Sequence, residues 1–391
     1  MKTRVILIAL TTLTWTFISS CEKDVQTNDE AIAKVENDLG SLPHSGVIFM
    51  DENEYQALPE INADEIQSLL PSNEIETRAT TKRLTTPSVI NQGQEGSCTA
   101  FATAYCVSSY YMTLFHKLAY SNNKAIRSPE YVYNSTKAAG SCEQAGAYLN
   151  QVLNFIRDKG VCSWSQMPYS DYNGCTLKPN STQLSQGKIG KIKSWNTVAR
   201  NVKAVKDLIN KGYPVVMGFD ANSNFVKQTS KMPYIYTSFK ADSKRAGHAV
   251  TITGYDDNKN SFIVQNSWGK SNHDNGFFYI SYNLFPTIAT ELFVMNPMLP
   301  GDITIRHASV VSEITIKING VNYLIKKGQT IKVPSIDFTP KKAEIWECVK
   351  VNNNLGFGYY DCSWDMYDVI ESKKYKITDL SKNYDLKLVA E

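Results

Sequence analysis

Asn91-Gln92-Gly93-Gln94-Glu95-Gly96-Ser97-Cys98-Thr99-Ala100-Phe101-Ala102 joins a polar, glycine-punctuated loop to an apolar helical pattern. Phe101, Tyr105, Met112, Phe115 and Leu118 recur at helical spacing, with Ala104, Val107, Tyr111 and Leu114 beside them. This periodicity predicts a largely buried helix starting near Ser97 or Cys98. A thiol in its first turn faces unpaired backbone N–H groups and the positive end of the helix dipole, and both favour thiolate. Alone, such a cysteine reads as a small residue capping a core helix. Its wider context changes that reading.

Gln92 stands six residues before Cys98. Far downstream lie Ala246-Gly247-His248-Ala249-Val250-Thr251-Ile252-Thr253-Gly254-Tyr255 and Phe262-Ile263-Val264-Gln265-Asn266-Ser267-Trp268-Gly269. Together these motifs resemble the papain-like cysteine peptidases, in the order Gln, Cys, His, Asn. His248 follows Cys98 by 150 positions, within that family's range. The resemblance covers about residues 84 to 297.

It implies a fold and a chemistry. The fold is α+β: a helical lobe carrying the cysteine and a β-rich lobe carrying His and Asn, with the cleft between them. Cys98 attacks a scissile carbonyl as thiolate. His248 stabilises that thiolate as imidazolium and then protonates the leaving amine. Asn266 orients the ring, and Trp268 shelters that contact from water. The Gln92 amide and the Cys98 backbone N–H bind the developing oxyanion. Gly146 is the best match to a glycine whose backbone pairs with extended substrate, and Trp268 also borders the substrate cleft. A cysteine-type peptidase, an endopeptidase by this reading, follows. The alternative is a surface binding lipoprotein whose peptidase fold is vestigial.

The chain departs from the family at two points. Cys142 matches a cysteine whose usual partner lies three residues before the nucleophile, where this chain has Glu95. Cys162 with Cys175, or Cys142 with either, would replace that bridge. Thr99 stands where the family usually has Trp. Cys106, about two turns into the helix, reads as a buried free thiol.

Five histidines limit the alternatives to His248. His44 lies in an acidic segment and His307 beyond the domain. His116 is roughly 27 Å along the helix from Cys98 by helical rise. His273 falls in a polar loop with no strand to hold it. There is no spaced His/Glu or Cys-x-x-Cys pattern for a metal, and no cofactor is expected.

Residues 1–20 read as an export signal: Lys2 and Arg4, an apolar run, then Ser19-Ser20 before Cys21. The run is short for a membrane span. Ile18-Ser19-Ser20-Cys21 resembles a bacterial lipobox, which implies cleavage before Cys21, lipidation of its sulfur and membrane attachment. The acidic residues after it resemble those of surface-exposed outer-membrane lipoproteins.

Residues 21–83 form an acidic tether or pro-like segment. Residues 22–83 carry 14 acidic and 5 basic side chains, whereas residues 84–391 carry 24 acidic and 34 basic. Such a segment could dock across the cleft of a basic body or act as a solvated spacer. Residues 61–70 could form one short helix closed by Pro71. Arg78, Lys82 and Arg83 lie in a Thr-rich stretch suited to proteolytic nicking.

The peptidase domain spans residues 84–298, and residues 299–391 change to an all-β pattern. Asn319-Gly320 between alternating runs is a strong hairpin signal. Cys348 and Cys362 are symmetric about Leu355, so a hairpin there predicts a cross-strand disulfide. A small β-sandwich is the expected fold. The expected partners are a protein or peptide substrate and the membrane, without nucleic acid, because no basic helix with interleaved aromatics is present. The chain is expected to act as a monomer.

Overall fold

The helix predicted after the polar loop begins at Cys98, with Ser97 at its N-cap, and continues to His116. In this computed structural model the described residues are 46–70, 79–116, 118–171, 174–241, 245–298, 302–309, 312–318, 321–334, 341–352, 358–369, 374–379 and 386–390. Phe101, Ala104, Tyr105, Val107, Tyr111 and Met112 are buried, as their spacing requires, whereas Phe115 and Leu118 are half-buried. Phe101–Ser108 winds as a π-helix. The Ser108 hydroxyl donates to the carbonyl of Thr103, five residues back. Periodicity does not show such a local widening, which is frequent at functional sites.

Two more helices build the wall of the helical lobe. Pro129–Thr136 starts as its sequence predicts, with Ser128 Oγ accepting from the Tyr131 N–H and Pro at the first position. Leu149–Lys159 buries Leu149, Val152, Leu153 and Ile156 and ends at Gly160, whose φ is +79°. The β-rich lobe is one eight-stranded sheet built from β1 (Thr81–Arg83), β2 (Ile192–Thr197), β3 (Val215–Asn222), β4 (Ile235–Tyr236), β5 (Arg245–Asp256), β6 (Ser261–Gln265), β7 (Phe277–Ser281) and β8 (Glu291–Pro297). Its order is β2-β8-β3-β5-β6-β7-β4, with β1 added to β5. The buried aromatics Phe219, Phe225, Phe262, Phe278 and Phe293 come from these strands and the helix Ser223–Thr229. Truncating a core aromatic of this kind to alanine costs about 3–5 kcal/mol.

The architecture is therefore α+β, with a helical part beside a large sheet, followed by two four-stranded sheets. In the first of these, Glu313–Ile318 pairs with Val321–Lys326 so that Ile318 meets Val321 across Asn319-Gly320, the predicted hairpin register. Lys341–Asn352 pairs with Gly358–Val369 and sets Cys348 opposite Cys362. The side chains of those two cysteines, and with them the predicted bridge, lie outside what is described. The second sheet holds Asp302–His307, Thr330–Pro334, Lys374–Asp379 and Leu386–Ala390, one pairing of which is parallel.

Residues 46–70 and 79–83 depart most from expectation. Residues 61–70 form turns instead of a helix. Their backbone groups bond to the turn after the helix Val202–Asn210: Lys211 Nζ donates to the carbonyls of Ala63 and Ile66, and the Leu69 N–H donates to the Lys211 carbonyl. The short helix is instead Glu52–Gln56, capped by Asp51. Arg78 lies outside the described residues. Thr81–Arg83 is a strand paired with residues 254–256, so the backbone at Lys82 and Arg83 is tied into the sheet and ill-suited to nicking. Cys21 and His44 also lie outside the described residues.

Candidate active site

Cys98 is buried in the first turn of the central helix. His248 lies on β5, which is pinned to that helix where the Thr251 hydroxyl donates to the Ala102 carbonyl. The Ala249 N–H also faces the Cys98 sulfur. His248 is fully buried between Phe219, which meets it edge-on, and Trp268, which stacks at 4.6 Å and 26°. His248 Nε2 lies 2.7 Å from Asn266 Oδ1. Its other ring nitrogen, Nδ1, has no hydrogen-bond partner among the described residues. Trp268 thus lies over the imidazole that Asn266 holds.

The Gln92 loop is stitched to the sheet lobe. The Gln92 N–H donates to the Ser267 carbonyl (2.8 Å), and the Ser267 hydroxyl donates to Gln92 Oε1 (2.5 Å). Gln92 Nε2 donates to the Glu95 carbonyl at 2.8 Å. Ser267 therefore orients the Gln92 amide, a role that lay hidden between two better-known letters of its motif. Tyr169 is a second such residue. Its hydroxyl reaches the Gln92 carbonyl and Ser97 Oγ, each at 2.7 Å.

The wall beside the cysteine carries the replacement disulfide, Cys142–Cys175. Glu95 occupies the place of the missing cysteine, and its Oε1 accepts from the Cys175 N–H. Burial pushes the Glu95 carboxyl up to about 7. Glu95 and the two sulfurs lie close enough together to hold a metal, but both sulfurs are taken up by the bridge. Cys106 and Cys162 are buried free thiols, and Cys106 Sγ donates to Gln265 Oε1.

Residues 46–48 cross the site. The Gly46 N–H donates to Cys98 Sγ at 3.1 Å. The Ala147 N–H donates to the Gly46 carbonyl, the Ile48 N–H donates to the Ala147 carbonyl, and the Val47 N–H donates to the Gly247 carbonyl. The strand of residues 46–48 thus runs parallel to the wall at Ala147. The approach is close enough to demand glycine. A Cβ on Gly46 would sit 1.7 Å from the Gly96 carbonyl oxygen, and one on Gly146 would sit 2.6 Å from the Gly46 carbonyl oxygen. Gly146, expected against substrate, instead faces the chain's own backbone. Met50 and Glu52 anchor the exit, through the Met50 N–H to Glu291 and Glu52 to Arg200.

Burial shifts both Cys98 and His248 toward their neutral forms. Burial pushes the Cys98 thiol up to about 11, opposed by the N–H groups of Ala249 and Gly46. Burial holds His248 down to about 4, opposed by the Asn266 bond and reinforced by His273. Burial thus favours the neutral thiol and the neutral imidazole, against the ion pair that helix position alone favours. The sulfur meets the segment at a backbone N–H donor, that of Gly46.

His273 is the residue misread from sequence. It lies half-buried behind Asn266, with its Nε2 2.9 Å from Asn266 Nδ2 and its Nδ1 2.8 Å from the Thr229 carbonyl. Its loop is held by the Gly276 N–H to the Asn272 carbonyl and by Asp274 bridged to Phe277.

The profile of the papain family cysteine proteases matches residues 71–294, more than half of the chain. The chain belongs to the papain family of cysteine proteases. Ananain from Ananas comosus is 30% identical over 217 residues, 54% of this chain and 57% of ananain. A peptidase C1-like protein of Acanthamoeba polyphaga mimivirus is 27% identical over 207 residues, 50% of this chain and 64% of that protein. The chain thus spans less than two thirds of the length of these curated relatives. Among solved structures, xylellain, a cysteine protease from Xylella fastidiosa, superimposes with a TM-score of 0.51 at 23% identity. That superposition covers 66% of this chain and 97% of xylellain and shows the shared papain-like fold. Cys98, His248, Asn266 and Gln92 all fall within the matched residues, whereas the crossing segment precedes them.

Proposed function

We propose that this papain-family chain is a cysteine-type endopeptidase. Cys98 is its nucleophile, His248 its base and acid, Asn266 its orienter and Gln92 part of its oxyanion site. One observation carries this reading: His248 is bound to Asn266 through Nε2 and, among the described residues, keeps Nδ1 free of hydrogen-bond partners, on a strand pinned to the Cys98 helix. When a peptide enters, the Cys98 proton passes to His248 Nδ1 and the thiolate adds to the carbonyl carbon. The imidazolium then returns the proton to the leaving amine, and water releases the acyl group. The vestigial-binder alternative is disfavoured because all four residues are present and His248, Asn266 and Gln92 share one hydrogen-bonded unit through Ser267.

A second reading rests on the Gly46 contact. Residues 46–50 act as a built-in plug, which is removed or displaced before substrate binds. The export signal and the lipobox support an exported, lipid-anchored protein attached through Cys21, on the outer membrane of a bacterium and facing outward. The 299–391 region would be a separate β domain beside the 84–298 peptidase domain.

The test is labelling by an epoxide cysteine-peptidase probe, applied to the full-length chain and to a form cleaved after residue 50. Wild type should label at Cys98 after cleavage, and Cys98→Ala and His248→Ala should not. A folded, cleaved wild-type chain that stays unlabelled sinks the peptidase reading.

A further inference from the structure

We infer that His273 is a positioning residue that fixes the amide of Asn266 and, through it, the tautomer of His248. The inference rests on the peptidase reading only for its consequence in catalysis; the wiring itself stands on geometry.

The argument follows which groups can donate. The Ser267 N–H, which only donates, lies 2.8 Å from Asn266 Oδ1. In the orientation that the Ser267 N–H favours, Nδ2 faces His273, whose Nε2 is the second contact holding the Asn266 amide there. An amide nitrogen only donates, so His273 Nε2 must be bare and accept. The His273 ring proton then sits on Nδ1, where it donates to the Thr229 carbonyl, which only accepts. That carbonyl ends the helix Ser223–Thr229, where backbone oxygens lack helical partners. At the other end, Asn266 Oδ1 only accepts, so His248 carries its proton on Nε2. His248 Nδ1 is left bare, which is the form able to take a proton from a thiol.

The surroundings of His273 suit this role. Its ring packs against Phe225, Trp268 and Phe278, with no charged side chain among its ring or hydrogen-bond contacts. Burial holds it down to about 4, so it stays neutral and keeps Nε2 as an acceptor at neutral pH. A protonated ring would place two donors face to face at Asn266 Nδ2. The backbone at His273 has φ +57°, a conformation that costs a non-glycine residue energy and persists where the surroundings over-determine it. A glycine would adopt it freely, so the imidazole accounts for the choice of residue.

The experiment uses the full-length chain and two variants, His273→Phe and His273→Gln. Phe keeps an aromatic ring without polar atoms; Gln keeps an acceptor for Asn266 Nδ2. The first readout is the 15N ring spectrum of the histidines, which needs no turnover. Wild type should show His273 protonated on Nδ1 and His248 on Nε2. His273→Phe should mix the His248 tautomers, and His273→Gln should restore the single form.

The second readout is the pH profile of Cys98 alkylation by iodoacetamide, with kcat and KM on a peptide after plug removal. For His273→Phe, alkylation near pH 6 and kcat should each fall about tenfold, with KM within about twofold, because a buried donor loses its partner. His273→Gln should recover most of that loss. A folded His273→Phe chain with unchanged His248 spectrum and alkylation profile overturns the inference. So does a wild-type His273 protonated on Nε2, which needs no variant to fold. If the wiring is found but no peptide is cleaved, the positioning role holds and the peptidase reading fails instead.

Discussion

Two stretches of chain reach Cys98 from outside its own helix, and they act in opposite directions. Strand β5 brings His248, whose Nδ1 has no hydrogen-bond partner among the described residues. Residues 46–48 bring the Gly46 N–H to the sulfur and bury it. The first supplies a base. The second covers the thiol with backbone, and separated charges are costly in a buried site. The difference teaches that a helix N-terminus and a motif establish a capable cysteine, while what covers it decides whether it is charged.

The largest effect should come from removing the shared target of both stretches. Cys98→Ala in the plug-free chain should lower kcat on a peptide by about 10⁵- to 10⁶-fold, with His248→Ala nearly as severe, since such groups act as a unit. Steady-state hydrolysis reads this. A loss under about tenfold for either variant would remove both from the chemistry.

Gly46→Val attacks the covering stretch alone. Its Cβ would lie 1.7 Å from the Gly96 carbonyl oxygen, in backbone that cannot yield. The segment should leave the cleft, and epoxide labelling of full-length protein should rise at least about tenfold. Unchanged labelling would mean that residues 46–48 do not limit access.

The wall against which that segment pairs is held by Cys142–Cys175, 33 positions apart. Replacing both cysteines by serine should cost about 3–4 kcal/mol of stability, for a loop of this length. Urea unfolding under non-reducing conditions measures it. A loss under about 1 kcal/mol would show that the wall is held by Glu95 and its neighbours instead.

The smallest effect concerns Glu291, which accepts from the Met50 N–H as the segment leaves the cleft. Burial raises its carboxyl from 4.5 to about 7. The folded chain then keeps a proton that the unfolded chain releases above pH 4.5. The stability from this group is full below about pH 4.5 and is lost as pH rises toward 7. Glu291→Gln should therefore gain in Tm relative to wild type as pH rises through that window, and level off above it. Taking the difference between the two proteins cancels the opposite contributions of His248 and His273. A pH-independent difference would contradict the raised carboxyl.

Much of the site could be read before any coordinates. Gln92, Cys98, His248 and Asn266 sit in short motifs whose order and spacing carry chemistry, and hydrogen bonds through Ser267 link Gln92, Asn266 and His248. The Asn-Gly hairpin and the capped helices were legible for the same reason: each depends on residues within a few positions of one another. What failed was non-local. Residues 61–70 satisfy their backbone at Lys211, so their helical pattern lost to tertiary partners. His273 looked unsupported because its supports, Asn266 and Thr229, come from other segments. Gly46 carried no signal at all, since a single glycine acquires meaning only beside the Gly96 carbonyl.

The order of residues thus settled the helix that presents Cys98, the strand that carries His248, the strand that ends just before Asn266, and the reaction class they point to. Local backbone geometry and periodic burial act over a few residues and are written in the chain. Only the tertiary structure decided that Cys142 pairs with Cys175, that Asn266 stands between two histidines, and that residues 46–48 lie over the thiol. Each of those depends on chain segments far apart in sequence meeting within hydrogen-bond or covalent reach. The charge state of Cys98 is of the same kind, because burial is a property of everything packed around it.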